Sequence, residues 1–511
     1  MWQLLKIEGK TILTKKMISQ AIYNFNKKFS TAQKINTAAL VLFVLTAIFS
    51  VGHNKSDEHY QILEFAQYKL GHIAPEDLPW EFSEKMRPTA QPWFVVGVVH
   101  VFHAVGITNP FAITRFLRIL TAVLLWLVMV KLNKELSLQY FKDKTWATIF
   151  SGCAFFLWYV PFVSVRFSSE SYAGLFLLAT IYMLLKYPER TKFLVAAGFF
   201  AGMAILVKAQ MGLVIFGLFG WLLFIQRIKW KYILAILLPI IAVTVLGFYL
   251  DSQFYNELVV TPYNFIRANL EGGKSNEFGT APFYYYLLVF FMIVIPPISF
   301  VLPFAFFSGM YRLRKNLIVW GIVPFILIHA LIAHKEVRFF LPIQYLVLFV
   351  TIYALAAYFK DREIKKYQRV FVKTGVVLNM IVLCYMVVKP AKGKVCYQQY
   401  LYENSAVGNS TVITTYKDYY QIMGHLNTTF YRPDNLKSHC IDEKDSLGAY
   451  LDYQNIDHAY YVHRGYEYKS STPGYTLEKV YGLYPNFLDQ VPFINTDKIR
   501  TDTIYLVTKN N

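Results

Sequence analysis

Ala333–Pro342 reads "AHKEVRFFLP" and is wedged between two apolar runs, "LIVWGIVPFILIHALI" (317–332) and "FLPIQYLVLFVTIYALAAYF" (340–359). His334, Lys335, Glu336 and Arg338 therefore share one tight connection between segments built for hydrocarbon. Taking charge out of water is costly, so such a cluster belongs at a membrane–water boundary, where it meets headgroups or a ligand. That reading makes the chain a polytopic helical membrane protein, and the rest of the sequence agrees.

The 511 residues are 55% hydrophobic, 18% aromatic and only 16% charged, with a mean hydropathy of +0.35; soluble domains carry about 25% charged residues. The formal charge of +19 sits in short Lys/Arg clusters between apolar runs, the pattern of cytoplasmic loops, and argues against a nucleic-acid partner. Cys153 and Cys384 fall inside apolar runs, whereas Cys396 and Cys440 lie in the polar tail and are free to pair if that tail is outside the cytosol. The first apolar run starts near Ile35 with no small-residue cleavage site after it, so it is expected to remain as an anchor.

A spanning helix needs about 20 apolar residues. Runs near that length occur at about 36–52, 111–132, 146–163, 171–186, 192–207, 211–226, 232–250, 283–308, 317–333, 339–359 and 370–388, which predicts about eleven transmembrane helices. Trp93–Ile107, "WFVVGVVHVFHAVGI", is short and carries His100 and His103. If it does not span, every basic cluster falls on one side: residues 1–35, "KLNKELSLQYFKDK", "KYPERTK", "QRIKWK", "YRLRKN" and "FKDREIKKYQR". If it spans, every later cluster moves outside. The positive-inside rule selects the first arrangement and makes Trp93–Ile107 an interfacial helix on the outer surface. The chain then divides into a basic cytoplasmic segment (1–35), a transmembrane catalytic domain (36–388) with a large first outer loop (53–110), and an extracytoplasmic tail (389–511). The tail is polar and Tyr-rich. "STVITTY", "HAYYVHRG" and "DTIYLVTK" predict strands and "YKDYYQIMGHL" a helix, a small α/β domain.

Charged groups gather in the outer loops. The first loop presents Asp57 and Glu58 just before a helical "YQILEFAQYKLG"; a carboxylate there suits a general base, or Ser56 or Asp57 merely caps that helix. "VRFSSE" adds Arg166 and Glu170, the Arg either binding substrate or snorkelling to headgroups. The loop after Asp251 adds Arg267, Asn269 and Lys274 before an aromatic run, Tyr284–Tyr286. His334, Lys335 and Arg338 lie on the outer side, where an electrostatic anchor fits poorly and a phosphate fits well. Polar groups in loops, not on broken helices at mid-membrane, weigh against a lipid or sugar transporter.

"SDEHYQILEFA", "VRFSSES", "DSQFYNELVVTPYNFIRANL…NEFGTAPFYYY" and "HKEVRFFLP" occur in the order of the motifs of family 22 glycosyltransferases, and the chain resembles these Alg9-like mannosyltransferases over roughly residues 36–360. The "HKExRF" signature is matched by His334, Lys335, Glu336, Arg338 and Phe339, and the first-loop "DE" by Asp57 and Glu58. In the branch that adds the third mannose to GPI anchors the later loop ends "YGxHPWHWY"; here it ends "FGTAPFYYY", without the His and Trp residues. The resemblance implies a GT-C fold with its site on the outer face, a polyprenyl-phosphate sugar as donor, a glycan or glycolipid as acceptor and inversion at the anomeric carbon. It implies Asp57 as base with Glu58 beside it, and His334, Lys335, Arg338 and Arg166 on the donor phosphate. Glu336, Arg267 and Glu170 are left for acceptor contacts or support. Neither a cofactor nor a metal is expected. A related transferase of another sugar, such as aminoarabinose, remains the alternative. A bacterial inner membrane with a periplasmic site is expected, or the ER lumen in a eukaryote, where Asn409 and Asn427 become glycosylation acceptors.

Overall fold

The computed structural model describes residues 30–293, 298–405, 411–415, 420–423, 426–433, 436–441, 446–468, 470, 472–484 and 501–510. The basic segment before residue 30, and Asn409, lie outside them. The chain is mostly helical. The first helix, α1 (Thr31–Phe49), starts at a Ser30–Gln33 capping box, which satisfies its free amides reciprocally. The first outer loop folds into α2 (Ser56–Tyr60), α3 (Leu63–Lys69), α4 (Trp80–Ser83) and α5 (Ala90–Ala104). The last of these is the run read as interfacial.

The longest helix, α6 (Pro110–Tyr140), has Asn109 as its cap and Pro110 at its first position, where a missing N–H costs nothing. The apolar run at 146–163 is divided. α7 (Lys144–Phe156) stops at extended Leu157, and Pro161 opens the short α8 (Val160–Ser164). Next come α9 (Ser169–Lys186), α10 (Thr191–Val207), α11 (Met211–Phe224), α12 (Trp230–Tyr255) and α13 (Thr261–Ile266). The run at 283–308 is also divided, into α14 (Tyr285–Ile293) and α15 (Leu302–Arg312), with 294–297 outside the described residues. α16 (Leu317–Leu331), α17 (Gln344–Phe359), α18 (Lys366–Val388) and α19 (Gly393–Ser405) complete the helical part.

Among the described residues five helical stretches are long and apolar enough to cross a membrane: Thr31–Phe49, Pro110–Tyr140, Trp230–Tyr255, Val337–Phe359 and Lys366–Asn404. Thr191–Val207, Met211–Phe224 and Leu317–Leu331 are shorter apolar helices. Helix α12 shows why lipid is needed. Leu234, Leu238, Ile241, Val245 and Tyr249 form an exposed apolar stripe along it, a patch that water would not tolerate. Its other face meets α10 so closely that a side chain at Gly198 would overlap the Ile236 carbonyl. With Gly202 this is a GxxxG contact, which lets backbones approach where no hydrophobic effect drives association.

The tail forms a mixed sheet, ordered β4-β1-β5-β7-β6, from β1 (Thr411–Thr414), β4 (Lys437–Cys440), β5 (His458–Arg464), β6 (Tyr475–Gly482) and β7 (Asp502–Lys509), with α20 (Leu447–Tyr453) nearby in sequence. The three predicted strands are present. Of the helix predicted over "YKDYYQIMGHL", residues 416–419 and 424–425 lie outside the described residues, and Gln421–Met423 is strand β2, paired with β3 (Leu426–Asn427). Apolar spacing misleads there because Tyr420 is buried against the sheet's own core, not on a helix face. Cys396 is buried and Cys440 exposed, and no disulfide joins them.

Candidate active site

The turn after α16 is held by the loop that precedes α14. Ala281 N–H donates to Ala333 O at 3.0 Å. His334 Nδ1 lies 2.7 Å from the Gly279 carbonyl, and Lys335 Nζ donates to Ala281 O at 2.9 Å and also to Ile332 O. Gly279 has φ +96°, a left-handed backbone that suits only glycine and aims its carbonyl at the His. "FGTAPF" and "AHKE" thus form one unit.

Arg338 projects from that unit into the first loop. Its guanidinium donates to Glu336 Oε1 at 2.7 Å and pairs with Asp57 of α2. Glu336 also faces His334 Nε2 at 3.2 Å. The pair is partly open, with Arg338 14% and Asp57 20% exposed, enough for a ligand to reach it. Burial alone would raise the Asp57 carboxyl. Arg338, Arg87 and Lys208 outweigh it and hold the group below the ordinary carboxylate range. Glu58, next along the helix, accepts Asn54 N–H at 3.1 Å. Burial raises its carboxyl to about 7 against the pull of Arg166. Two adjacent carboxyls are therefore driven apart, the signature of an acid/base pair.

Glu170, in the first turn of α9, pairs with Lys208 at 2.6 Å, and Lys208 Nζ also lies 5.8 Å from the Phe339 ring centre. Glu170 and Ser171 also line a narrow, mostly apolar crevice between helices, together with Leu125, Met129, Leu178, Pro342 and Leu348. Among the described residues no three His, Cys, Asp or Glu side chains converge as metal ligands.

The structure therefore brings Asp57, Arg338, Glu336, His334 and Glu170 into one network and sets others apart. Arg166 is 2% exposed and donates to Ser50 O (2.8 Å) and Gly52 O (3.0 Å). Both carbonyls lie in the segment just after α1, which Arg166 ties down, while its charge also acts on Glu58. Lys335 likewise turns its ammonium onto two carbonyls. Arg267 is half-exposed and meets Glu84 at 3.7 Å, with no described contact to Asp57 or Arg338. Asp57 does not cap α2: it lies inside the helix, whose N-cap, Lys55, makes no side-chain cap bond. Lys208 and Arg87 were missed. Lys208 follows the same rule as Arg338, a cation in a tight outer turn between apolar runs (192–207 and 211–226), and that signal was available.

In sequence and in fold the chain is similar to known proteins. Residues 35–409 match the Alg9-like mannosyltransferase family. GPI mannosyltransferase 3 of Candida albicans is 25% identical over 376 residues, covering 70% of this chain and 71% of that enzyme. Mannosyltransferase APTG1 of Arabidopsis thaliana is 23% identical over 65% of this chain and 60% of its own length. In fold, the chain is similar to ArnT from Cupriavidus metallidurans, solved bound to undecaprenyl phosphate, with a TM-score of 0.53 at 12% identity, covering 92% of this chain and 97% of that one. With its helical membrane fold and its Asp57–Arg338 network, the chain belongs to the Alg9-like mannosyltransferase family.

Proposed function

We propose that the protein transfers a mannosyl unit from a polyprenyl-phosphate donor to a glycan or glycolipid acceptor, with inversion, on the outer face of the membrane. The observation that carries this reading is the Asp57–Arg338 pair, in which a carboxylate and a cation stand together and stay partly exposed. The donor's chain lies in lipid, and its phosphate reaches Arg338, Lys208 and His334. Phosphate and Asp57 compete for Arg338, so donor binding frees Asp57 to act as base. The acceptor hydroxyl attacks C1 as its proton passes to Asp57. The C1–O bond breaks, and the leaving phosphate keeps the electron pair, stabilised by fixed cations in a poorly hydrated site. Glu58, poised near neutrality, receives the proton from Asp57. Lys335 and Arg166 hold the two loops that carry these groups.

The leaving group is a phosphate monoester and needs no metal; a chelator should leave the rate unchanged. About eleven crossings with α5 on the surface place the site and the tail on the outer side, supported by the one-sided basic clusters. That side is the periplasm of a bacterial inner membrane, or the ER lumen in a eukaryote. The test is transfer from radiolabelled polyprenyl-phosphate-mannose, comparing wild type with Asp57→Asn at equal membrane abundance. Transfer by wild type alone supports donor and base together. Equal transfer by both removes Asp57 as base.

A further inference from the structure

Helix α2 carries Asp57 and Glu58 but has five residues and no side-chain cap. So short a helix does not hold itself in water, and its orientation must come from what lies behind it. Behind it is the tail. His59 is 0% and Glu64 1% exposed, with Nε2 and Oε1 2.7 Å apart. Phe430 N–H donates to the same Glu64 oxygen at 3.1 Å, and Thr429 lies close enough to act on this carboxyl electrostatically. Thr429–Tyr431 is a single 3₁₀ turn, whose first amides lack partners within the turn. Glu64 supplies the acceptor.

Rings extend the contact. His53 stacks on His59 at 5.1 Å, His59 on Tyr431 at 5.2 Å, and Tyr431 on Phe111 at 4.7 Å. One column thus links the end of α1, helix α2, the tail and the start of α6. Phe430 and Tyr431 belong to the core of the helical domain, whereas the sheet of the tail has two cores of its own. These tail residues lie beyond residue 409, where the family match ends.

We propose that Glu64 is a positioning residue for the transfer reaction: by binding the Phe430 amide and pairing with His59 it fixes α2 against the tail, which makes the tail part of the transferase. The proposal rests on the reading in which Asp57 and Glu58 act in catalysis. Two measurements on the full-length protein in nanodiscs test it. Hydrogen exchange at residues 56–60 should rise at least 10-fold in Glu64→Ala, with exchange in the sheet unchanged. The kcat should fall about 10-fold with the donor KM held within 2-fold, Glu64→Gln should restore it to within 3-fold, and Glu64→Ala with Thr429→Val should be non-additive. Thr429→Val leaves Glu64 in place and serves if Glu64→Ala does not fold. Unchanged exchange at 56–60 overturns the proposal, as does raised exchange with a wild-type kcat. If wild type itself transfers no mannose, the functional reading fails separately, and exchange at 56–60 still decides whether the tail fixes α2.

Discussion

The two faces of helix α2 are built from opposite electrostatics. On its front, Asp57 is charged, ion-paired to Arg338 and one-fifth exposed. On its back, His59 and Glu64 are sealed from solvent, and burial drives both toward neutrality, the His down to about 3 and the Glu up to about 8. Residues two apart on a helix point about 200° from one another, so one short segment serves both. A charge kept accessible can exchange its partner for a ligand. A buried pair kept neutral avoids the cost of desolvating an ion and exchanges with nothing.

Four substitutions break or sharpen that contrast. Asp57→Asn should have the largest effect, a loss on the order of 1,000-fold in transfer, within the range of a removed general base, with folding unchanged by thermal melt. Arg338→Ala should lower kcat by about 100-fold, as expected when one preorganised charge donor to a leaving group is lost. It should also let the Asp57 carboxyl rise toward the ordinary range, which a pH–rate profile reads as a new acidic limb.

Glu58→Gln tests the proton network. In wild type the rate should rise with pH through about 7, as Glu58 ionises and becomes able to take the proton. In Glu58→Gln that limb should vanish and the plateau fall about 10-fold. The smallest effect belongs to the back face. The folded state holds the Glu64 proton up to about pH 8, while an unfolded carboxyl loses it near 4.5. The folded state therefore binds more protons across that interval, and stability falls as pH rises through it. Glu64→Gln should flatten that fall in Tm. The difference should be clearest from about pH 7 to 8, above the range where Glu58 contributes the same sign.

Much of the site was legible because its chemistry is local. His334, Glu336 and Arg338 stand within five residues, and Asp57 and Glu58 are adjacent. Charge so concentrated beside apolar runs has few explanations. Arg166 shows the limit. In sequence it is one more cation at the end of a span; only the fold reveals that the open carbonyls of Ser50 and Gly52 lie in its reach. Lys208 shows the converse, a signal present in sequence whose meaning rests on Glu170 and Phe339 coming from other helices.

Hydropathy and the placement of Lys and Arg determined that this chain is a membrane protein with its reactive groups in loops, because the bilayer imposes a length and a charge asymmetry on every segment. The tertiary structure decided which charges meet. Arg338 finds Asp57, and Glu64 finds the Phe430 amide, across hundreds of residues. No local pattern encodes such pairs, since each partner alone reads as an ordinary polar residue. They exist because packed helices bring their loops to one place, where a group taken out of water must find its complement.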